Sequence, residues 1–359
     1  MSAREERPPP RARIPAIGPA GGPAMRRRRR VPANFFGIPL GLIGLADAWL
    51  VAANFHLAPV LAGRLLVAVA MFAWVAVTFA YLRGLLTHRV SLAGDLADPV
   101  AGPFIAAAVL VPMLAAADVL HPYDHRAGTV LVDVLIAITV VLAGWFTGQW
   151  TSRPVPLATV HPGYFLPAAA GGFISSACAA LVGQRNLAQV LFGLGLFSWI
   201  VLGAIIRARP ILGPPLPTPL VPTLAIEVAP AAVAIFAAFV IDGQHVNVTV
   251  QALAGYGLLM VIAQLRLLPE FLRLSFMPTF WAFTFPAAAV DFAALFWLGI
   301  THPTGWRTES YLTLAAITVL VGAIAARTVL DLHRGHMLAS TVAPAITGTV
   351  PATEAIAIR

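Results

Sequence analysis

The stretch VPANFFGIPLGLIGLADAW, residues 31 to 49, is apolar enough to enter a bilayer, yet Pro39 stands well inside it. Proline lacks a backbone N–H and crowds the carbonyl four residues earlier, so it breaks or kinks a helix. Four later stretches repeat the arrangement: GPFIAAAVLVPML (102–114), HPGYFLPAAAGG (161–172), VPTLAIEVAPAAV (221–233) and MPTFWAFTFPAAA (277–289). Each has one proline at its entrance and a second five to nine residues later. The interior prolines are Pro39, Pro112, Pro167, Pro230 and Pro286.

The chain around them has 359 residues, of which 59% are hydrophobic and 11% charged. Several apolar runs of about 20 residues match the thickness of a bilayer core. This is the composition of a polytopic helical membrane protein. The formal charge of +8 does not point to nucleic acid, because nine of the 23 basic residues lie in the first 30 positions and the rest are scattered. Residues 1–32 read as a disordered basic cytoplasmic tail without a signal-peptide core. Its run Arg26 to Arg30 is a topology signal that also suits anionic lipid. The single cysteine, Cys178, excludes an intrachain disulfide.

Hydropathy predicts ten spans at 33–54, 61–86, 101–119, 127–149, 162–183, 187–208, 219–240, 246–267, 278–300 and 310–333. They form one transmembrane domain, 33–333, followed by a cytoplasmic tail, 334–359. With the N-terminus inside, nine arginines after the tail (Arg83, Arg89, Arg153, Arg207, Arg209, Arg266, Arg273, Arg327 and Arg334) fall on the inner side. Four (Arg64, Arg126, Arg185 and Arg307) fall outside. The excess places both termini in the cytoplasm of a multi-pass cell-membrane protein.

With these bounds every interior proline falls in an odd span and none in an even one. A stranded carbonyl is costly in lipid unless protein or water satisfies it. The odd spans are therefore expected inside, proline-kinked around a central pore, with the even spans as a straight outer layer. The expected fold is all-α: ten transmembrane helices as five helical hairpins. The competing explanation is that proline is simply common in transmembrane helices.

The segments NFFGIPLGLIGLADAW, PTLAIEVAPAAVA and FWAFTFPAAA resemble the first, seventh and ninth helices of the tellurite-resistance/dicarboxylate transporter family. That family includes bacterial tellurite-resistance proteins, yeast malate permeases and plant slow-type anion channels. The resemblance covers about 33–333. It implies ten helices as five hairpins, odd helices lining a pore, a homotrimer, and passage of small anions. It also implies that the phenylalanine before the ninth-helix proline, Phe285, plugs the pore. The residues before the five prolines are Ile38, Val111, Leu166, Ala229 and Phe285, and only the last is aromatic. A ring at a constriction suits a hydrophobic gate; an ordinary core aromatic beside Phe280 and Phe283 is the other reading.

Charges inside spans are costly and mark candidate sites. Glu227 and Asp291 are the possible proton or ion sites. Glu227 either carries a proton in the path or turns away and bonds a neighbouring helix. Asp47 and Asp133 suit structural pairing or water contact. The segment DVLHPYDH gathers Asp118, His121, Asp124 and His125 in one expected external loop, but Pro122 spoils ligand spacing, and no metal site is expected. No cofactor is implied. Without HExxH, G-x-S-x-G or a paired-carboxylate motif, an enzyme is not expected. The leading function is passage of small anions such as chloride, nitrate, a dicarboxylate or tellurite. The alternatives are a proton-coupled C4-dicarboxylate transporter and a non-transporting sensor or scaffold.

Overall fold

The computed structural model describes residues 31–88, 91–152, 155–243 and 245–335. The arginine run Arg26 to Arg30, Arg89, Arg153 and nearly all of both expected tails lie outside the described residues.

Among the described residues, ten helices are long and apolar enough to cross a membrane. They are α1 Ala33–Asn54, α2 Val60–Thr87, α3 Gly102–Tyr123, α4 His125–Ser152, α5 Pro162–Leu181, α6 Arg185–Leu212, α7 Thr218–Ile241, α8 Val248–Phe271, α9 Pro278–Thr301 and α10 Trp306–His333. At a rise of about 1.5 Å per residue, even about 20 residues cover the hydrocarbon thickness.

The helices form two populations. The odd ones are 61–89% buried within the protein, the even ones 17–28%. The odd helices close a ring in chain order: α1 packs on α3, α3 on α5, α5 on α7, α7 on α9, and α9 back on α1. Each even helix packs on the odd helix before it, and α2, α4, α6 and α10 also reach the next odd helix of the ring. Exposed apolar side chains such as Phe72, Phe79, Phe197 and Ile262 sit on this outer layer. In water such a surface would be unstable; in lipid it costs nothing.

Two expectations need correction. The even helices do carry prolines, Pro210 in α6 and Pro269 in α8. Both lie close to a C-terminal end that runs about a turn beyond the hydropathy boundary, where losing one backbone bond leaves the rest of the helix intact. Asp118 is not in a loop. A π turn, Ala116–Leu120, and a helical turn, His121–Tyr123, carry α3 past the expected end at 119, so Asp118 and His121 of the expected loop segment are helical.

The odd helices also show how their prolines are accommodated. Each begins with a tight 3₁₀ segment: Ala33–Phe36, Gly102–Ala106, Pro162–Tyr164, Thr218–Val228 and Pro278–Phe283. In three of them the α-helical part then starts afresh, at Gly37, Ala229 and Thr284, one or two residues before Pro39, Pro230 and Pro286. A proline in a first turn gives up an N–H that has no intrahelical acceptor anyway. The 3₁₀ pattern also redirects carbonyls: that of Ile226, four residues before Pro230, accepts from the Ala229 N–H. Pro167 falls in a π turn, Leu166–Ala170. Pro112 lies deeper, in the α-helical part Ala107–Ala115. The carbonyl it strands, that of Ala108, accepts from the Trp74 indole N–H of α2 at 2.8 Å.

Candidate functional site

A cavity of about 40 Å³ opens on the axis of the ring, near the ends where the odd helices begin. That exceeds the roughly 10–15 Å³ a water needs. All five odd helices line it and no even one does: Asn34, Gly37 and Leu40 from α1, Phe104 from α3, Phe165, Leu166 and Ala170 from α5, Ile226, Ala229 and Pro230 from α7, and Thr279, Trp281, Ala282, Phe285 and Pro286 among those from α9. None of these side chains is charged.

Phe285 is held from behind by close contact of α9 with α1. A Cβ built at Gly44 would lie 2.9 Å from Phe285 Cδ2 and 3.1 Å from the Ala288 methyl. A Cβ at Gly41 would collide with the Thr284 hydroxyl. Two glycines three residues apart thus let the backbones approach, as small residues do between membrane helices. The Trp281 indole is fixed by donating to Thr328 Oγ1 of α10 at 2.9 Å. Phe285 itself is 5% exposed.

Two polar groups in the lining are unpaired. Asn34 Oδ1 and Thr279 Oγ1 are buried and lack a hydrogen-bond partner within the protein. In an apolar chamber such atoms are costly unless water or a solute meets them. Sequence reasoning passed over both, because neither is charged. The available signal was their position at the entrance of two proline-bearing spans.

The chain matches the sequence profile described as voltage-dependent anion channel (SLAC1) over residues 30–329. It belongs to the voltage-dependent anion channel family. It is also 27% identical over 312 residues to a curated protein named tellurite resistance protein TehA homolog, from Haemophilus influenzae, covering 85% of this chain and 92% of that one. The match spans the whole ring, so the protein is a multi-pass membrane protein of an anion channel and transporter family.

Within that family frame, the residues singled out from sequence fall in different places. Phe285, Pro230 and Pro286 line the axial cavity. Pro39, Pro112 and Pro167 are on the ring helices but outside the cavity lining. Glu227 is on α7 and also outside it. Its Oε2 lies 3.8 Å from Arg207 Nε of α6, and the Arg207 guanidinium sits 5.1 Å over the Tyr256 ring of α8. Glu227 therefore points outward, between two helices of the outer layer. Asp291 of α9 is buried, and both of its carboxylate oxygens lack a hydrogen-bond partner within the protein. It stands about two turns beyond Phe285, turned from the cavity side. The structure does not bring Glu227 and Asp291 together. Asp133 on α4 has a buried Oδ1 without a protein partner.

His121 and His125 meet at the far end of α3, with Nε2 and Nδ1 3.3 Å apart. Among the described residues no three His, Cys, Asp or Glu side chains gather to hold a metal ion.

The cavity is braced on one side by His161, just before α5. Its Nδ1 accepts from the Gly163 N–H at 3.1 Å, so the proton is on Nε2, 3.1 Å from the Val100 carbonyl. Both ring nitrogens are thus committed in the neutral form. The ring stacks on the cavity residue Phe104, with centroids 5.9 Å apart. Burial pushes its pKa down from 6.5 to about 4; the Val100 carbonyl pulls upward, and the Arg209 charge adds to the lowering.

Proposed function

We propose that the chain passes small anions along the axis of the five-helix ring and that the Phe285 ring closes this path. The observation that carries the reading is the axial cavity itself, uncharged, lined by all five odd helices and bounded by Phe285. An anion there meets no fixed negative charge, since Glu227 is paired with Arg207 outside the lining. The odd helices all begin at this end, so the positive ends of their dipoles converge on the cavity. Asn34 and Thr279 offer an amide and a hydroxyl to a partly dehydrated ion. Selectivity for anions then needs no arginine in the path, as at broken helices in other transporters.

The arginine distribution supports both termini inside, which puts the cavity on the cytoplasmic side. A homotrimer and contact with anionic lipid rest on the family and on the basic tail. Tellurite belongs among the test anions because the Haemophilus relative is named for tellurite resistance; chloride, nitrate and C4-dicarboxylates complete the panel.

The experiment is anion flux into vesicles holding purified protein. Phe285→Ala is expected to raise flux at least about tenfold by removing a hydrophobic barrier. Unchanged flux at equal protein content sinks the gate, and no flux of any anion sinks the transport reading.

A further inference from the structure

A second hollow lies outside the ring. It is a cleft of about 550 Å³ between the end of α4, the start of α5 and the later part of α6. Trp150 of α4, Leu157 and Val160 of the connection, Tyr164 of α5, and Leu202 and Ile205 of α6 are among its walls. None of the residues that line it is charged. Ile205 is 46% exposed and Leu157 36%. The cleft thus opens outward, onto the same apolar surface as Trp145, Ile200 and Val201 of α4 and α6. That surface is the lipid-facing outer layer.

The cleft and the axial cavity share a wall. Tyr164 lines the cleft, and the next two residues, Phe165 and Leu166, line the cavity. A file of rings crosses the wall. Trp150 stacks on Tyr164 with centroids 4.6 Å apart. Tyr164 meets His161 edge to face at 5.3 Å, and His161 stacks on the cavity residue Phe104. Such ring pairs resist separation. Tyr164 is 2% exposed, and its Oη is buried without a hydrogen-bond partner within the protein. An unmet hydroxyl of this kind is costly unless a bound molecule meets it.

The chemistry of the cleft selects its occupant. An apolar hollow holds ordered water poorly. Its volume falls among ligand pockets, which span about 300–1,000 Å³. The N-terminal tail suits it badly, because nine basic residues lie in the first 30 positions and no carboxylate lines the cleft. A phospholipid suits each part: an acyl chain for the apolar walls, and an ester carbonyl to accept from the Tyr164 hydroxyl. It is also what the surface around the opening already touches. Trp150 stands near the end of the 28-residue α4, at the interfacial level where lipid ester groups lie.

We propose that the cleft seats one acyl chain of a membrane phospholipid, and that this acyl chain holds the cavity wall from outside. The site itself stands apart from the transport reading above; its effect on flux rests on that reading. With the acyl chain in place, Tyr164 cannot recede from the axis, and the rings behind it keep Phe104 at the cavity. With the cleft empty, the wall is free to move outward and the path widens.

Two measurements test this separately. Quenching by brominated phosphatidylcholine reads the site. The Trp150 share of the fluorescence is that of the wild type less that of Trp150→Phe, which keeps a ring on Tyr164. This share is expected to be strongly quenched in brominated vesicles. Leu202→Phe/Ile205→Phe, which fills the cleft, is expected to lose most of the quenching. Equal quenching in the filled variant overturns the site, because ordinary surface lipid then accounts for it. An unquenched Trp150 in the wild type overturns it too, since protein, a second copy included, then covers the cleft. The wild type and Trp150→Phe also decide the matter without the filled variant. Straight-chain brominated lipid diluted into bulkier phytanoyl lipid is expected to quench Trp150 well beyond its mole fraction, and quenching in simple proportion overturns the site. Nitrate flux reads the effect on the wall. Wild-type flux is expected to be several-fold higher in phytanoyl than in straight-chain vesicles, with the filled variant low in both. Equal wild-type flux in the two lipids, or the same lipid dependence in the filled variant, overturns the control of flux. Vesicles with no flux of any anion count against the transport reading alone, and the quenching result still decides the site.

Discussion

Gly44 and Phe285 are fitted to each other: a single methyl on the glycine would stand 2.9 Å from the phenylalanine Cδ2. The ring is thus backed on the α1 side and borders the axial cavity. Gly44→Ala is expected to push it toward that cavity and lower anion flux below wild type. Adding Phe285→Ala to Gly44→Ala is expected to restore the high flux of Phe285→Ala alone. A double variant no faster than Gly44→Ala would show that the glycine acts elsewhere, and vesicle flux reads all four proteins of the cycle.

The Trp74 indole bond to Ala108 exists because Pro112 cannot use that carbonyl. Trp74→Phe leaves a buried acceptor unmet and is expected to cost about 1–3 kcal/mol. Pro112→Ala supplies an N–H from within the helix. It is expected to recover most of the loss in the Trp74→Phe background while doing little alone. Thermal unfolding in detergent checks both.

His161 makes stability depend on pH. Its folded pKa, about 4, is below the ordinary 6.5, so the unfolded chain binds the proton more readily. The contribution is complete above about pH 6.5 and is lost as pH falls toward about 4. Protonation would also set an N–H against the Gly163 N–H. The melting temperature is expected to fall across this window in the wild type and to fall less in His161→Gln.

Asn34 and Thr279 are the polar contacts in an apolar chamber. Thr279→Val keeps the shape and removes the hydroxyl; Asn34→Leu does the same for the amide. Each is expected to change the nitrate-to-chloride flux ratio several-fold with little effect on melting temperature, because a site's unmatched polar group discriminates between solutes. An unaltered ratio in both would mean that the backbone alone contacts the ion.

Much of this architecture could be read from the sequence. Hydropathy placed all ten helices, because lipid demands long apolar runs whatever the tertiary contacts. The spacing of Pro39, Pro230 and Pro286 separated inner from outer helices, since a broken helix needs protein around it. What stayed hidden depended on rotation about helix axes. Glu227 sits three residues before Pro230, yet one faces Arg207 and the other the cavity. Only packing decides that. The helix ran past its expected end at 119 because a π turn adds a residue per turn without changing composition, and Pro122 looked like the start of a loop. Asn34 and Thr279 carry no charge to draw the eye.

The ring closes only where α9 meets α1. During translation the first eight helices can enter the bilayer and stack in order, but they leave an open slot flanked by Gly41 and Gly44. The seam is sealed when the last pair is inserted, by a contact spanning most of the chain. A ribosome halted before that point would leave a half-built wall with its water-filled groove facing lipid.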